Sequence, residues 1–162
     1  LMLSTIHAYT SSQSLMDLPT RKRRRGRAAA LSIIPTTTGA TKATEKVIPE
    51  LAGKMTGMAY RVPVEDGSVS DITATLSREV TIEEVHEALA EAAEGRMKGV
   101  LRLTEEELVS RDIIGDPHSS IVDTPSTLLL NGNVIKLVAW YDNEWGYSAR
   151  MVDISAIVAG EA

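Results

Sequence analysis

The chain has 162 residues, 43% of them hydrophobic and 24% charged, with a formal net charge of −5, which suits one globular domain with its own core. It has no cysteine, which excludes disulfides and thiolate-held metals, and its three scattered histidines do not make a zinc site. No apolar run approaches the roughly 20 residues that span a bilayer, and the opening residues lack the basic and apolar regions of a signal peptide, so a cytoplasmic protein is expected.

Leu3 to Tyr9 reads as a short strand. A chain that opens inside a strand reads as a piece of something longer. Residues 9 to about 27 form a long polar loop, and loops of that length inside compact domains usually carry function. Six of the 17 basic residues fall in Arg21-Lys22-Arg23-Arg24-Arg25-Gly26-Arg27, leaving a strongly acidic body with one basic loop. Residues 28 to 34 are apolar and fit a strand or a buried turn. Pro35-Thr36-Thr37-Thr38-Gly39 then leads into a segment of helical composition, capped by the threonines and stopped by Gly53.

Met58 to Val62 reads as a strand, and Asp71 to Leu76 alternates at period 2, predicting a strand with one buried face. Thr81-Ile82-Glu83-Glu84 is a capping box, followed by a helical stripe of Ile82, Val85, Leu89 and Ala92 or Ala93 that Gly95 ends. Asn131-Gly132 between apolar runs predicts a hairpin with a type I′ turn. Tyr147, Met151, Ile154 and Val158 share one face of a closing helix. The sum is an α+β domain over residues 1–162: a mixed, mostly antiparallel sheet with about three helices on one face. No Gly-x-Gly-x-x-Gly follows a strand, so a dinucleotide-binding domain is absent from the sequence.

Thr36-Thr37-Thr38-Gly39 ahead of a helix is the best local site signal. Free amides and the positive dipole end favour an anion there, although helix capping is the plainer reading. The basic run suits a solvated loop or a nucleic-acid patch, but it lacks the interleaved aromatics that stack on bases, which argues against nucleic acid. His7, His86 and His118 are each, alone, more often structural than catalytic, and Tyr141-Asp142-Asn143-Glu144-Trp145-Gly146-Tyr147 fits a turn with aromatic packing.

Taken in order, several segments resemble the glyceraldehyde-3-phosphate dehydrogenase family: His7-Ala8-Tyr9-Thr10, Asp17-Leu18-Pro19, Arg27-Ala28-Ala29-Ala30-Leu31-Ser32-Ile33-Ile34-Pro35-Thr36-Thr37-Thr38-Gly39-Ala40, Gly57-Met58-Ala59-Tyr60-Arg61-Val62-Pro63, His118-Ser119-Ser120, and Trp140-Tyr141-Asp142-Asn143-Glu144-Trp145-Gly146-Tyr147-Ser148. The resemblance implies the catalytic half of an NAD(P)-dependent enzyme that oxidises glyceraldehyde 3-phosphate with inorganic phosphate to 1,3-bisphosphoglycerate, in glycolysis and gluconeogenesis. It implies that His7 pairs with a nucleophilic cysteine as general base. Thr38 and Gly39 match the attacking-phosphate site, while Thr10 and Arg61 match the site for the substrate's own phosphate. Arg24 matches a basic residue near both. Asn143 matches the asparagine that orients the nicotinamide carboxamide, with Tyr147 stacked nearby.

The 9–27 loop resembles the family's S-loop, which lines a neighbouring subunit's cofactor site in a homo-oligomer, and Leu18-Pro19 is the pair typical of NAD-preferring members. The chain departs from the family at Ser12, where Asp is usual, and in the extra basicity around Arg24. The Ser-Cys-Thr-Thr-Asn segment of the nucleophile is expected shortly before Leu1, with the Rossmann-type cofactor domain before it. Without them the chain alone is expected to be inactive and to bind no cofactor. The alternative is a non-catalytic oligomerisation or anion-binding module. An erythrose-4-phosphate dehydrogenase fits less well, since that enzyme has no use for the intact Thr36-Thr37-Thr38-Gly39 phosphate site.

Overall fold

The computed structural model describes residues 1–160. Seven strands form one mixed sheet: β1 Met2–Ala8, β2 Ile34–Thr36, β3 Thr56–Val62, β4 Ser68–Thr75, β5 Leu101–Thr104, β6 Ser120–Leu130 and β7 Val134–Tyr141. Three α-helices, α1 Ala40–Val47, α2 Ile82–Glu94 and α3 Trp145–Ala159, accompany short 3-10 turns at Arg23–Gly26, Ala29–Leu31 and Pro49–Leu51. The strand order is β2-β3-β1-β4-β7-β6-β5; only β1–β3 and β5–β6 pair in parallel, so the sheet is mostly antiparallel as the sequence predicts.

α2 begins at the predicted capping box: Thr81 Oγ1 accepts from the Glu84 amide and the Glu84 carboxylate accepts from the Thr81 amide. Its Leu89, Ala92 and Ala93 pack with Met97 and Leu103 against Leu101 of β5, Val122 of β6 and Ala139 of β7, which form a buried apolar cluster. The hairpin turn has positive φ at both Asn131 (51°) and Gly132 (73°), the signature of the predicted type I′ geometry. α1 sits over the other end of the same sheet face. It can do so because position 57 is glycine: a Cβ there would lie 2.5 Å from the Leu3 carbonyl oxygen and 3.1 Å from Thr41 Cγ2.

Three details differ from the sequence reading. The 28–34 segment resolves into a 3-10 turn followed by β2, which extends through Pro35, the proline lying on an edge strand where no inward amide is needed. β4 is central, paired on both sides, and half-buried along both faces rather than buried on one. α3 is fastened at its start, where Arg150 donates to the Gly99 carbonyl at 3.0 Å, but Tyr147, Met151, Ile154 and Val158 are all exposed. No helix among the described residues is long and apolar enough to cross a membrane.

Candidate anion-binding cleft

α1 and α2 leave the middle of the sheet face uncovered, and there the chain forms a cleft of about 590 Å³. Its floor is built from β1, β3, β4 and β7, through Thr5, Ala59, Ser70 and Ala139, and the start of α1 forms one wall. These small side chains keep the floor low enough for ionic groups to stand over it. His7 and Arg61 face each other across adjacent strands because β1 and β3 run parallel with His7 in register with Arg61.

The His7 ring has a defined tautomer. A carbonyl can only accept, so Nδ1, 2.7 Å from the Ala8 oxygen, carries the proton and donates to it. Arg61 Nη1 lies 3.1 Å from that nitrogen and 3.1 Å from the same carbonyl, and donates to the carbonyl. Nε2 is therefore the nitrogen left with the lone pair. The ring stands edge-on to Tyr141, with centroids 6.1 Å apart and planes at 76°. Burial holds the imidazole below the ordinary histidine range; the Ala8 carbonyl works against this, Arg61 adds to it, and Asp66 opposes it. Burial thus favours the neutral form of His7.

Arg61 is also held below its ordinary range, by burial and by the nearby Arg25, yet arginine remains cationic in proteins. Its Nε is buried with no hydrogen-bond partner among the described residues. A partly buried guanidinium with an orphaned donor and a second cation close by favours an anion in the cleft. Facing it, Thr37, Thr38, Gly39 and Ala40 open α1. The Thr38 hydroxyl accepts from the Ala40 amide at 3.1 Å. A Cβ at Gly39 would meet no atom within 4 Å, so its lack of a side chain serves the open cleft, not internal packing.

The basic residue that reaches this cleft is Arg25, not Arg24. Arg25 donates from Nε and Nη2 to the Thr36 hydroxyl at 3.3 and 3.0 Å and from Nη1 to the Ser12 hydroxyl at 3.3 Å, while Arg24 lines a neighbouring hollow. Sequence reasoning had no signal to separate two adjacent arginines in a basic run; the phase of the 3-10 turn decides. Thr10 does not line the cleft, but its hydroxyl lies 2.9 Å from Ser12 Oγ, which connects it to Arg25.

Asn143 is fixed from behind: its Oδ1 accepts from Ser68 Oγ at 2.6 Å, and Ser68 Oγ accepts from the Ala8 amide at 3.1 Å. The Asn143 amide nitrogen is thereby left as the outward donor. Ser68, which anchors Asn143, did not stand out in the sequence. Leu18 and Pro19 lie apart from the cleft, lining a small hollow with Asp17 and Arg27, and Tyr147 is exposed. No cluster of three or more metal-ligating side chains occurs among the described residues.

The family model described as glyceraldehyde 3-phosphate dehydrogenase, C-terminal domain, matches residues 1–143. The chain belongs to that family. It is 54% identical over 160 residues to the glyceraldehyde-3-phosphate dehydrogenase of Geobacillus stearothermophilus, covering 99% of this chain and 48% of the relative. The Aspergillus oryzae glyceraldehyde-3-phosphate dehydrogenase B is 52% identical over 159 residues, covering 98% and 48%. The cytosolic Chlamydomonas reinhardtii glyceraldehyde-3-phosphate dehydrogenase is 52% identical over 162 residues, covering 99% and 48%. The chain therefore spans about half the length of the curated glyceraldehyde-3-phosphate dehydrogenases it matches, and it corresponds to their C-terminal domain.

Proposed function

We propose that this chain is the catalytic, substrate-binding half of a cytoplasmic, phosphorylating glyceraldehyde-3-phosphate dehydrogenase, and that it is inactive alone. The observation that carries the reading is one cleft in which His7 and Arg61 sit in strand register opposite Thr38 and Gly39 at a helix start.

In this reading His7, neutral and with Nε2 free, takes the proton from the nucleophilic thiol and serves as general base in the aldehyde oxidation. The chain has no cysteine, so that thiol belongs to a segment outside it. Arg61 of β3, with Thr10 just after β1, holds the phosphate of glyceraldehyde 3-phosphate. Thr38, Gly39 and the α1 amides hold inorganic phosphate for attack, and Arg25 stands between the two anions in the role that the resemblance gave Arg24. NAD or NADP, bound mainly by the missing nucleotide-binding half, supplies the hydride acceptor. The outward amide of Asn143 fits the carboxamide oxygen of the nicotinamide, and Tyr147 covers the same side. Leu18 and Pro19 reach a neighbouring subunit's cofactor in a homo-oligomer and favour NAD.

A single polypeptide joining the N-terminal half of the Geobacillus relative to this chain tests the reading. NADH formation with glyceraldehyde 3-phosphate, NAD and phosphate is expected from the fusion and not from the chain alone, and His7→Asn in the fusion should lower the rate by about 10²–10⁴-fold. Turnover by the isolated chain would refute its inactivity. An inactive fusion whose chain still binds inorganic phosphate would favour the anion-binding module instead.

A further inference from the structure

Beside the cleft lies a second hollow, of about 470 Å³, with Lys22, Arg23, Arg24 and Arg25 on one wall and Thr36, Thr37, Gly57 and Met58 among the residues of the other. Residues 21–25 are five consecutive cations. Among the described residues none of them is paired with a carboxylate; the one acidic side chain of the loop, Asp17, is engaged by Arg27 at 3.0 Å and by the Ala28 amide at 2.8 Å. In a chain of net charge −5, this concentration of uncompensated positive charge is a local exception.

The two hollows adjoin at Arg25 and Thr37, which line both. An anion seated at Thr38 and Gly39 therefore has a cationic trough leading away from it along Arg25, Arg24, Arg23 and Lys22. Residues 10–33 contain no aromatic side chain, and none lines this hollow, so nucleobases would find no stacking surface there. The chemistry fits a ligand made of linked phosphates without bases.

We propose that the Lys22-to-Arg25 hollow is a binding site for a linear oligophosphate, with one terminal phosphate in the Thr38 corner and the following ones along the basic turn. The site goes beyond the proposed dehydrogenase half-site, which needs only single phosphate groups. Binding depends on several charge contacts at once, so it weakens steeply with salt.

The test is calorimetry on the purified chain with tripolyphosphate, orthophosphate and an unstructured single-stranded trinucleotide carrying a terminal phosphate. At low salt, tripolyphosphate is expected to bind at least about tenfold more tightly than orthophosphate, with the advantage collapsing toward about 0.2 M salt. Lys22→Gln with Arg23→Gln, both exposed and unpaired, should remove about tenfold of tripolyphosphate affinity and leave orthophosphate binding unchanged. Equal affinity for the two phosphates, or a double variant that binds tripolyphosphate as before, would overturn the proposal. So would a trinucleotide that binds more tightly than tripolyphosphate, since the occupant would then be a nucleic acid. If orthophosphate fails to bind while the double variant still weakens tripolyphosphate, the basic hollow stands and the single-phosphate corner of the proposed function falls.

Discussion

Asp66 lies against Asp142, and the two carboxyls divide their surroundings unequally. Burial works to raise the Asp142 pKa, but amides of Gly115, Trp145 and Glu144 donate to it at 2.8, 2.7 and 2.8 Å and hold it below the ordinary range. Asp66 goes the other way: burial first, then the charge of Asp142, raise it, against donation from the Gly67 and Asn143 amides. A raised native pKa means the neutral acid is the form the fold favours. Its stabilising effect is complete below the unfolded pKa and is lost as pH rises through the native one. Asp66→Asn keeps the shape and an acceptor oxygen without the charge, so it should raise Tm by about 1–3 °C at neutral pH. The gain should shrink to nothing below about pH 4. A melting series from pH 3 to 8 checks this, and a variant less stable at pH 7 would contradict it. Nothing in the sequence pointed to this pair, because its partners are set by tertiary contacts of segments about 75 positions apart. His7, Thr38, Gly39 and Arg61 were legible as parts of contiguous motifs; strand register sets His7 beside Arg61, and the start of α1 brings Thr38 and Gly39 to the same cleft.

At the scale of elements, local chemistry carried most of the prediction. The capping box, the Asn131-Gly132 turn and the period of α2 each act through neighbours a few residues apart, and each is found. β5, Leu101–Thr104, escaped notice because four residues are too short a run for their alternation to stand out; it is held by parallel pairing with β6. The α3 stripe is real as a pattern but meets no surface within the chain. One residue ties element packing to the cleft. Gly57→Ala would drive a methyl group toward the Leu3 carbonyl and Thr41, and α1 would have to lift from β3. Because α1 carries Thr38 and Gly39 at its start, the expected result is a loss of about 1–3 kcal/mol in stability together with weaker orthophosphate binding. Gly39→Ala, which meets open space, should leave stability nearly unchanged and affect only binding. Chemical denaturation and phosphate titration of both variants separate the two effects; equal destabilisation by both would sink the argument.

The whole molecule leaves a large apolar area uncovered. On α3, Tyr147 is 69%, Val152 70%, Ile157 64% and Val158 82% exposed, and on strands β1 and β6 Met2, Leu128 and Leu130 are 65%, 59% and 62% exposed. Single exposed apolar residues are ordinary, but a helix apolar on most of its circumference is not, and such a surface drives association. The buried core is correspondingly modest: it contains several alanines, and among the described residues only Ile113 and Ile121 are large apolar side chains buried essentially completely. A domain of this kind gains much of its stability by covering those faces. The isolated chain should therefore self-associate at tens of micromolar, measured by size-exclusion chromatography with light scattering. Ile154→Glu with Val158→Glu should shift it toward monomer while the cleft, which α3 does not line, keeps its orthophosphate affinity. In the fusion with the relative's N-terminal half, the same two substitutions should instead lower activity and Tm, because α3 would then be covered by its own polypeptide. A monomeric wild-type chain at those concentrations would show that the exposed face is tolerated in water, and the reason for its apolar character would have to lie elsewhere.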